Sequence, residues 1–208
     1  MKPLVTDPYC YPGTRVLINV RDLKDRNALD EFESEMVAVR LAQLKRNTLN
    51  GPFNLKRLQE THRRIFQDVY PWAGSIRQYT GTMQKTRANG TTVTYCDSNF
   101  IMNAIAPVFS ALEQENFLRG LALPQFAARS AHFYGELDAI HAFREGNSRT
   151  LRQFFADLAY EAGYKLDWRS ASNTEEKIEQ IFLARDAAVV RRDSSLMAKL
   201  MEENLRVL

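Results

Sequence analysis

Apolar residues return at three- and four-residue spacing along most of this chain, and one stretch, residues 76–96, breaks that rhythm. Such a chain is committed to helices packed on helices, with a single β excursion. Asn27 is placed to cap a first helix whose Leu29, Phe32, Met36 and Leu44 keep to one face. Leu49-Asn50-Gly51-Pro52-Phe53 ends it, and Asn54 opens a second helix that buries Leu55, Leu58, Ile65, Phe66 and Val69. After Pro71-Trp72-Ala73-Gly74 come Thr-rich residues around Ala88-Asn89-Gly90, a turn signal that predicts a hairpin. Helical spacing resumes near Asp97, with Pro107 either kinking that helix or starting another. Pro124 suits the first turn of a helix running to about Ile140, and a further helix is predicted from Ser148 to Ala162, stopped by Gly163. Ser172 and Glu175 form a capping box for a penultimate helix and Asp193 can cap the last, so residues 172–208 read as C-terminal helices.

The 208 residues suffice for one domain with a full core, and no repeat, linker or low-complexity stretch divides them. Residues 1–208 therefore read as a single, mainly α domain. The formal charge of +3 comes from 28 basic and 25 acidic residues that are interspersed, so no basic stripe supports direct nucleic-acid binding. No run of about 18 apolar residues exists to span a membrane, and Met1 to Pro8 lacks the apolar core of a signal peptide. The chain is expected to be made in the cytoplasm; a secretion system that reads other signals would leave no trace in it. Cys10 and Cys96 are too few and too far apart for a metal knuckle or disulfide scaffold, and read as reduced structural thiols.

The segment most informative about chemistry is His141-Ala142-Phe143-Arg144-Glu145-Gly146-Asn147-Ser148-Arg149-Thr150-Leu151-Arg152. His141 has the side chain that titrates nearest neutrality and can take a proton from an attacking hydroxyl. Glu145 is a hard oxygen ligand suited to Mg²⁺ bridging phosphates. Gly146, Asn147 and Ser148 lie where a loop becomes a helix, so small residues let backbone N–H groups close on a phosphate. Arg149 and Arg152, one helical turn apart, offer planar forks to further phosphate oxygens. Phe143 points the other way as an apolar anchor. Taken singly, each residue has an ordinary structural explanation; a base, a metal ligand, an anion nest and two guanidiniums in one loop–helix unit are hard to explain as packing.

This segment resembles the signature of the Fic family, His-Pro-Phe-x-Asp/Glu-Gly-Asn-Gly-Arg-x-x-Arg, with Ala142 in place of Pro and Ser148 in place of the second Gly. Asp7 to Thr14 with Val16, Leu17 and Asn19 resembles the opening of many bacterial members. His62, Phe66, Asp68, Tyr70, Trp72, Ala73, Gly74 and Arg77 resemble the helix-to-hairpin junction. Tyr134 to Ile140 resembles the helix leading into the signature, with Asp138 where Asn is usual and Gly135 also departing from the pattern. The similarity runs from about residue 7 to about residue 168.

The resemblance implies a Fic fold, a helical bundle with a small β-hairpin flap beside the active-site loop. It implies transfer of AMP from ATP to a Ser, Thr or Tyr hydroxyl of a target protein. His141 would be the general base, Glu145 the Mg²⁺ ligand, and Gly146, Asn147 and Ser148 the anion hole, with the Asn147 side chain reaching the α-phosphate. Arg149 would bind the β-phosphate and Arg152 the γ-phosphate. The hairpin at about residues 84–96, with Thr91, Thr92, Val93, Thr94 and Tyr95, would be the flap on which a target segment docks as an added strand. Ser148 differs from the Lys of the Doc branch, which phosphorylates, and so favours AMP transfer. Other donors, giving UMP, phosphocholine or phosphate transfer, stay open, as does a secreted-effector role. Many members are restrained by a helix carrying Ser/Thr-x-x-x-Glu-Gly/Asn. Glu115-Asn116 follows Ala111 and Glu203-Asn204 follows Lys199 at the Ser/Thr place, so no complete copy is present. The resemblance then implies a toxin whose restraining Glu comes from a separate small antitoxin and meets Arg152, with Glu203 in cis as the lesser alternative. Targets in similar bacterial toxins include type II topoisomerase subunits.

Overall fold

The computed structural model describes residues 7–78, 82–87 and 90–208. Met1 to Thr6, and Ala88 and Asn89 of the expected hairpin turn, lie outside the described residues. Helix α1 spans Arg26–Arg46 and buries Leu29, Val37 and Leu44, while Lys45 and Arg46 in its last turn face the negative end of the helix dipole. Its cap is Asp25, whose carboxylate accepts the Ala28 N–H at 2.9 Å, and not Asn27, which falls inside the first turn. Helix α2, Leu55–Phe66, starts as expected at Asn54, whose side chain accepts from Arg57 N–H at 3.0 Å. Helix α3, Ile101–Gln114, runs through Pro107 without interruption. Helix α4, Leu123–Ile140, carries Pro124 in its first turn, and α5, Asn147–Glu161, is followed by Gly163 at φ +91°.

Helix α6, Glu175–Arg191, is capped by Thr174, whose hydroxyl accepts from Lys177 N–H at 3.3 Å. The expected cap Ser172 is instead in a 3₁₀ turn and donates its hydroxyl to the Trp168 carbonyl at 2.7 Å. Helix α7, Ser195–Asn204, has Asp193 accepting the Ser195 N–H at 2.9 Å, a capping role close to the one expected. The chain does not stay helical to its end. Residues Leu205–Val207 form a strand antiparallel to Tyr164–Leu166, which ties the C-terminal segment to the exit of α5. Three-residue strands are too short to show a period of two, so the sequence pattern could not announce them.

The hairpin consists of β1, Thr82–Thr86, and β2, Thr92–Asp97, antiparallel with Lys85 opposite Val93 and Gln84 opposite Thr94. Along β2 the side chains alternate, Thr92 and Thr94 exposed, Val93 and Tyr95 buried. Helices α4 and α5 hold the centre of the core. Phe126, Phe133, Tyr134, Phe154 and Phe155 on them are all buried, each stabilising by roughly 2–3 kcal/mol relative to an exposed position. A second cluster, including Leu29, Val37, Ile65, Phe66, Val69 and Tyr70, joins α1 to α2 on one side of α5. No helix among the described residues is long and apolar enough to cross a membrane.

One buried carboxyl on α5 gives a pH-dependent stability test. Burial pushes Asp157 up to about 6, against a hydrogen bond from Gln153 and the nearby Arg57. Its unfolded value is near 3.8, so the folded state loses stability as pH rises between those values and the charge is forced into the core. Asp157→Asn is expected to gain ~2 kcal/mol above pH 6 and nothing near pH 4, read by urea unfolding at both pH values.

Candidate active site

The site is built at the turn where α4 stops. His141 ends that helix in the left-handed region, φ 51° and ψ 59°, with its N–H still bonded to the Leu137 carbonyl at 3.1 Å. A non-glycine residue held there stores about 1–2 kcal/mol, and Arg77 supplies the restraint. Its buried guanidinium donates from Nε to the His141 carbonyl at 2.7 Å and from Nη2 to the Cys96 carbonyl, while its backbone N–H meets the Ala142 carbonyl at 2.9 Å. The backbone that a proline would have stiffened at Ala142 is thus fixed from outside.

The loop is stapled from within by Asn147. Its Oδ1 accepts Phe143 N–H at 2.9 Å and its Nδ2 donates to the Phe143 carbonyl at 2.7 Å. The amide expected to reach the α-phosphate is here bonded at both ends to the loop. Phe143 is the expected apolar anchor, buried and stacked on His62 with ring centroids 3.9 Å apart. His62 accepts the Gly74 N–H at Nδ1, 2.8 Å, so its Nε2 carries the proton and donates to the Glu145 carbonyl at 3.0 Å. Burial lowers His62 to about 4, so this ring is neutral near pH 7 and keeps both bonds.

Gly146 returns the chain through φ +80° into α5. The N–H groups of Asn147, Ser148 and Arg149 open that helix and have no partner within its first turn, which makes them anion donors backed by the helix dipole. Glu145 lies beside them. One of its oxygens accepts Gly146 N–H at 2.9 Å and sits 3.6 Å from Arg149 Nη2. Burial would raise its carboxyl, but Lys85, the Gly146 N–H and Arg149 outweigh that and hold it ionised. Among the described residues no cluster of three metal-ligating side chains exists. A lone ionised carboxylate fits Mg²⁺ all the same, since that ion takes one or two carboxylates and completes its shell with phosphate oxygens and water.

The two arginines differ in their surroundings. Arg149 is already engaged: Nη1 bonds Glu33 of α1 at 2.6 Å, the guanidinium lies 4.8 Å from the centroid of the Phe66 ring, and Glu33 also accepts the Tyr70 hydroxyl. Its guanidinium, expected to bind the β-phosphate, is shared here with Glu33 and Glu145. Arg152 forms no hydrogen bond or ion pair with any described residue, and burial lowers the pKa of its guanidinium. It opens on a cavity of about 320 Å³ lined by Lys45, Arg149 and Arg169 over Leu41 and Trp168. Arg152 is thus a half-buried cation among other cations, with no ion-pair partner among the described residues.

His141 itself is only 1% exposed. Its imidazole lies under the Tyr95 ring with centroids 3.7 Å apart. Tyr95 sits at an inward position of β2 and covers this imidazole, whereas Thr92 and Thr94 face outward. The flap residues divide between two faces. Neither imidazole nitrogen has a hydrogen bond among the described residues, and burial, against Asp138, lowers the pKa, so the ring is neutral and can accept a proton. Lys85 shares the inner face with its cross-strand partner Val93, and has no hydrogen bond or ion pair among the described residues. Arg87, just beyond β1, is held by Asp186 of α6 at 2.7 Å. Sequence reasoning missed Glu33, Tyr70, Lys85, Asp186 and the role of Arg77. Tyr70 and Arg77 stood in the junction that resembles the family, without a role, and Lys85 left a trace in the alternation of the hairpin.

A profile of the Fic/DOC family matches residues 52–159. The chain is 36% identical over 193 residues to the protein adenylyltransferase VbhT of Bartonella schoenbuchensis, covering 90% of this chain and 39% of VbhT. It is thus similar to well under half the length of that relative. A Sinorhizobium fredii protein, named "Probable protein adenylyltransferase y4lH", is 35% identical, with 98% of this chain and 97% of that one covered. Among solved structures, the VirB-translocated effector BepC of Bartonella tribocorum, with AMPPNP bound, superposes with a TM-score of 0.83 at 25% identity, covering 96% of this chain and 97% of the chain in that structure. Built around the loop of residues 141–152 and matched along its whole helical body, the chain belongs to the Fic/DOC family.

Proposed function

We propose that this protein transfers AMP from ATP to a hydroxyl side chain of a target protein. The observation that carries the reading is Arg152, an uncompensated, half-buried cation one helical turn from Arg149 and the open N-terminus of α5. Together these form a track for a polyphosphate tail, ending at a neutral imidazole. The names of VbhT and y4lH and the nucleotide in BepC support it.

In the proposed step His141 removes the proton of the target hydroxyl, whose oxygen attacks the α-phosphorus in line. The bond to the α–β bridging oxygen breaks, and pyrophosphate leaves along the arginine track. Mg²⁺ on Glu145 would neutralise charge on the α- and β-phosphates. The chain's own residues supply position and charge rather than covalent chemistry. Tyr95 has to lift from His141 for the hydroxyl to arrive, which suits a flap that takes a target strand on its edge.

Incubating the protein with labelled ATP, UTP and CDP-choline alongside lysate tests the donor directly. Label from ATP alone is expected; label from either other donor instead overturns the reading. A type II topoisomerase subunit is the first purified target to try. Since BepC is a VirB-translocated effector, host-cell lysate belongs in the assay beside lysate of the producing cell.

The proposal includes restraint by a separate small antitoxin whose Glu pairs with Arg152. Glu203 is exposed on α7 and forms no hydrogen bond or ion pair with Arg152, which weakens the cis alternative. Arg152→Ala is expected to weaken inhibitor binding about tenfold or more, the loss of a charge-assisted contact, read by calorimetry against a helix peptide carrying Ser-x-x-x-Glu-Gly. Unchanged binding would place the restraint elsewhere.

A further inference from the structure

Gly135 and Asp138, the two residues of α4 that depart from the family pattern before the signature, both belong to one contact with α6. A Cβ on Gly135 would come within 3.0 Å of the Ala188 Cβ, so the missing side chain lets the helices approach closely. One turn on along α4 and one turn back along α6, Asp138 accepts two bonds from Arg185, at 2.8 Å from Nε and 2.7 Å from Nη2. Both side chains of the pair are buried. The same carboxylate oxygen that meets Nη2 lies 3.6 Å from Nδ1 of His141, slightly beyond hydrogen-bond length, so a small rotation of the ring closes that bond.

We propose that Asp138 is a positioning residue for the general base: it holds the His141 imidazole with Nδ1–H toward itself and Nε2 toward the incoming hydroxyl, and Arg185 sets the strength of that hold by competing for the same carboxylate. The inference rests on the reading of His141 as the base for AMP transfer. Arg185 is the one group that hydrogen-bonds the Asp138 carboxylate among the described residues, and the imidazole is the next polar group beside it. A carboxylate fixed by a bidentate arginine cannot swing away from the ring, and a histidine without it has no group to choose its tautomer. The neighbouring residue on α6, Asp186, grips Arg87 at the flap, so one helix braces both the base and the hairpin that covers it.

The charged and titratable groups facing the imidazole are few. Asp138 approaches from α4, Arg185 from α6, Lys85 from β1, Tyr95 from β2 and Glu145 from the loop. Tyr95 is pushed up to about 12 and stays neutral. Changing the two members of the pair should therefore move the histidine in opposite directions. Asp138→Asn keeps an acceptor but removes the negative charge, and leaves Arg185 uncompensated. Arg185→Gln removes the competitor and its positive charge, giving Asp138 wholly to the ring.

The test uses the full chain and two readouts. The protein has three histidines, so imidazole NMR resolves the titration of His141 without reference to activity. Asp138→Asn is expected to lower its midpoint by about one pH unit or more and Arg185→Gln to raise it by as much. The double variant, which restores a neutral pair, falls between them and covers the case in which a single variant does not fold. In transfer assays with α-labelled ATP and lysate, the acid limb of the rate should shift the same way in each variant. Asp138→Asn should lose about 3- to 10-fold in kcat, with KM for ATP unchanged. A His141 midpoint and acid limb that stay put in folded Asp138→Asn, Arg185→Gln and double variants overturn the proposal. Midpoints that move as expected, in a wild type that transfers no label, would sink the AMP-transfer reading and leave the positioning contact standing.

Discussion

His141→Ala is expected to abolish transfer while leaving ATP–Mg²⁺ binding intact. The imidazole contacts the Tyr95 ring and approaches Asp138, and none of the arginines of the phosphate track leans on it. The fold tolerates the change, because what holds residue 141 in its left-handed turn is its backbone: N–H to Leu137 and carbonyl to Arg77. Loss of a positioned base typically costs about 10²–10⁴ in rate. With a protein hydroxyl as nucleophile, and with Asp138 tied to Arg185 and Glu145 to the Gly146 N–H, the upper part of that range is expected. Titration with a fluorescent ATP analogue and rates of label incorporation check the two halves separately. Retained full transfer would remove the general-base assignment, and loss of binding would mean that the imidazole supports the nucleotide site instead.

Gly146→Ala should damage both the fold and the site. At φ +80° an L-residue is strained by roughly 1–2 kcal/mol. The added methyl would also stand 2.3 Å from Cε2 and Cζ of Phe66, a ring with no solvent exposure. Phe66 cannot give way freely, since His62 packs on it and Arg149 lies over it. Overpacking of this kind adds about 1–3 kcal/mol, so a total near 3 kcal/mol and a fall in Tm of ~10 °C are expected for a chain of this size. The functional loss should exceed the loss of stability. Moving residue 146 shifts Glu145 and the first N–H groups of α5 together, so the rise in Tm expected of the wild type on adding ATP–Mg²⁺ should vanish in the variant. Thermal melts with and without nucleotide read both effects; a variant that melts like wild type and still gains from nucleotide would contradict the packing described around this loop.

What was legible in the sequence was local. The loop–helix unit 141–152 is contiguous, so its base, carboxylate and arginines could be read together, and the structure does bring them to one turn. Helix starts at Asn54 and Pro124 and the stop at Gly163 follow from the chemistry of single residues. Where two candidate caps lie within three positions the reading slipped, to Asn27 for Asp25 and to Ser172 for Thr174, because the choice depends on which side chain other contacts recruit. The partners of the site residues were not legible at all. Glu33 reaches Arg149 across 116 residues, Asp7 reaches Arg144 across 137 and Arg185 reaches Asp138 across 47, and each is an ordinary surface charge in its own stretch of sequence. The burial of His141 beneath Tyr95 belongs with these, as it depends on how the hairpin folds over the loop.

The most direct test uses two preparations of ATP, one labelled at the α-phosphorus and one at the γ-phosphorus, each incubated with lysate and with wild-type or His141→Ala protein. Label from the α position should appear on a protein band with the wild type and not with the variant, and γ-label should stay in solution as pyrophosphate. Protein carrying γ-label, or α-label that persists without the imidazole, would contradict the account.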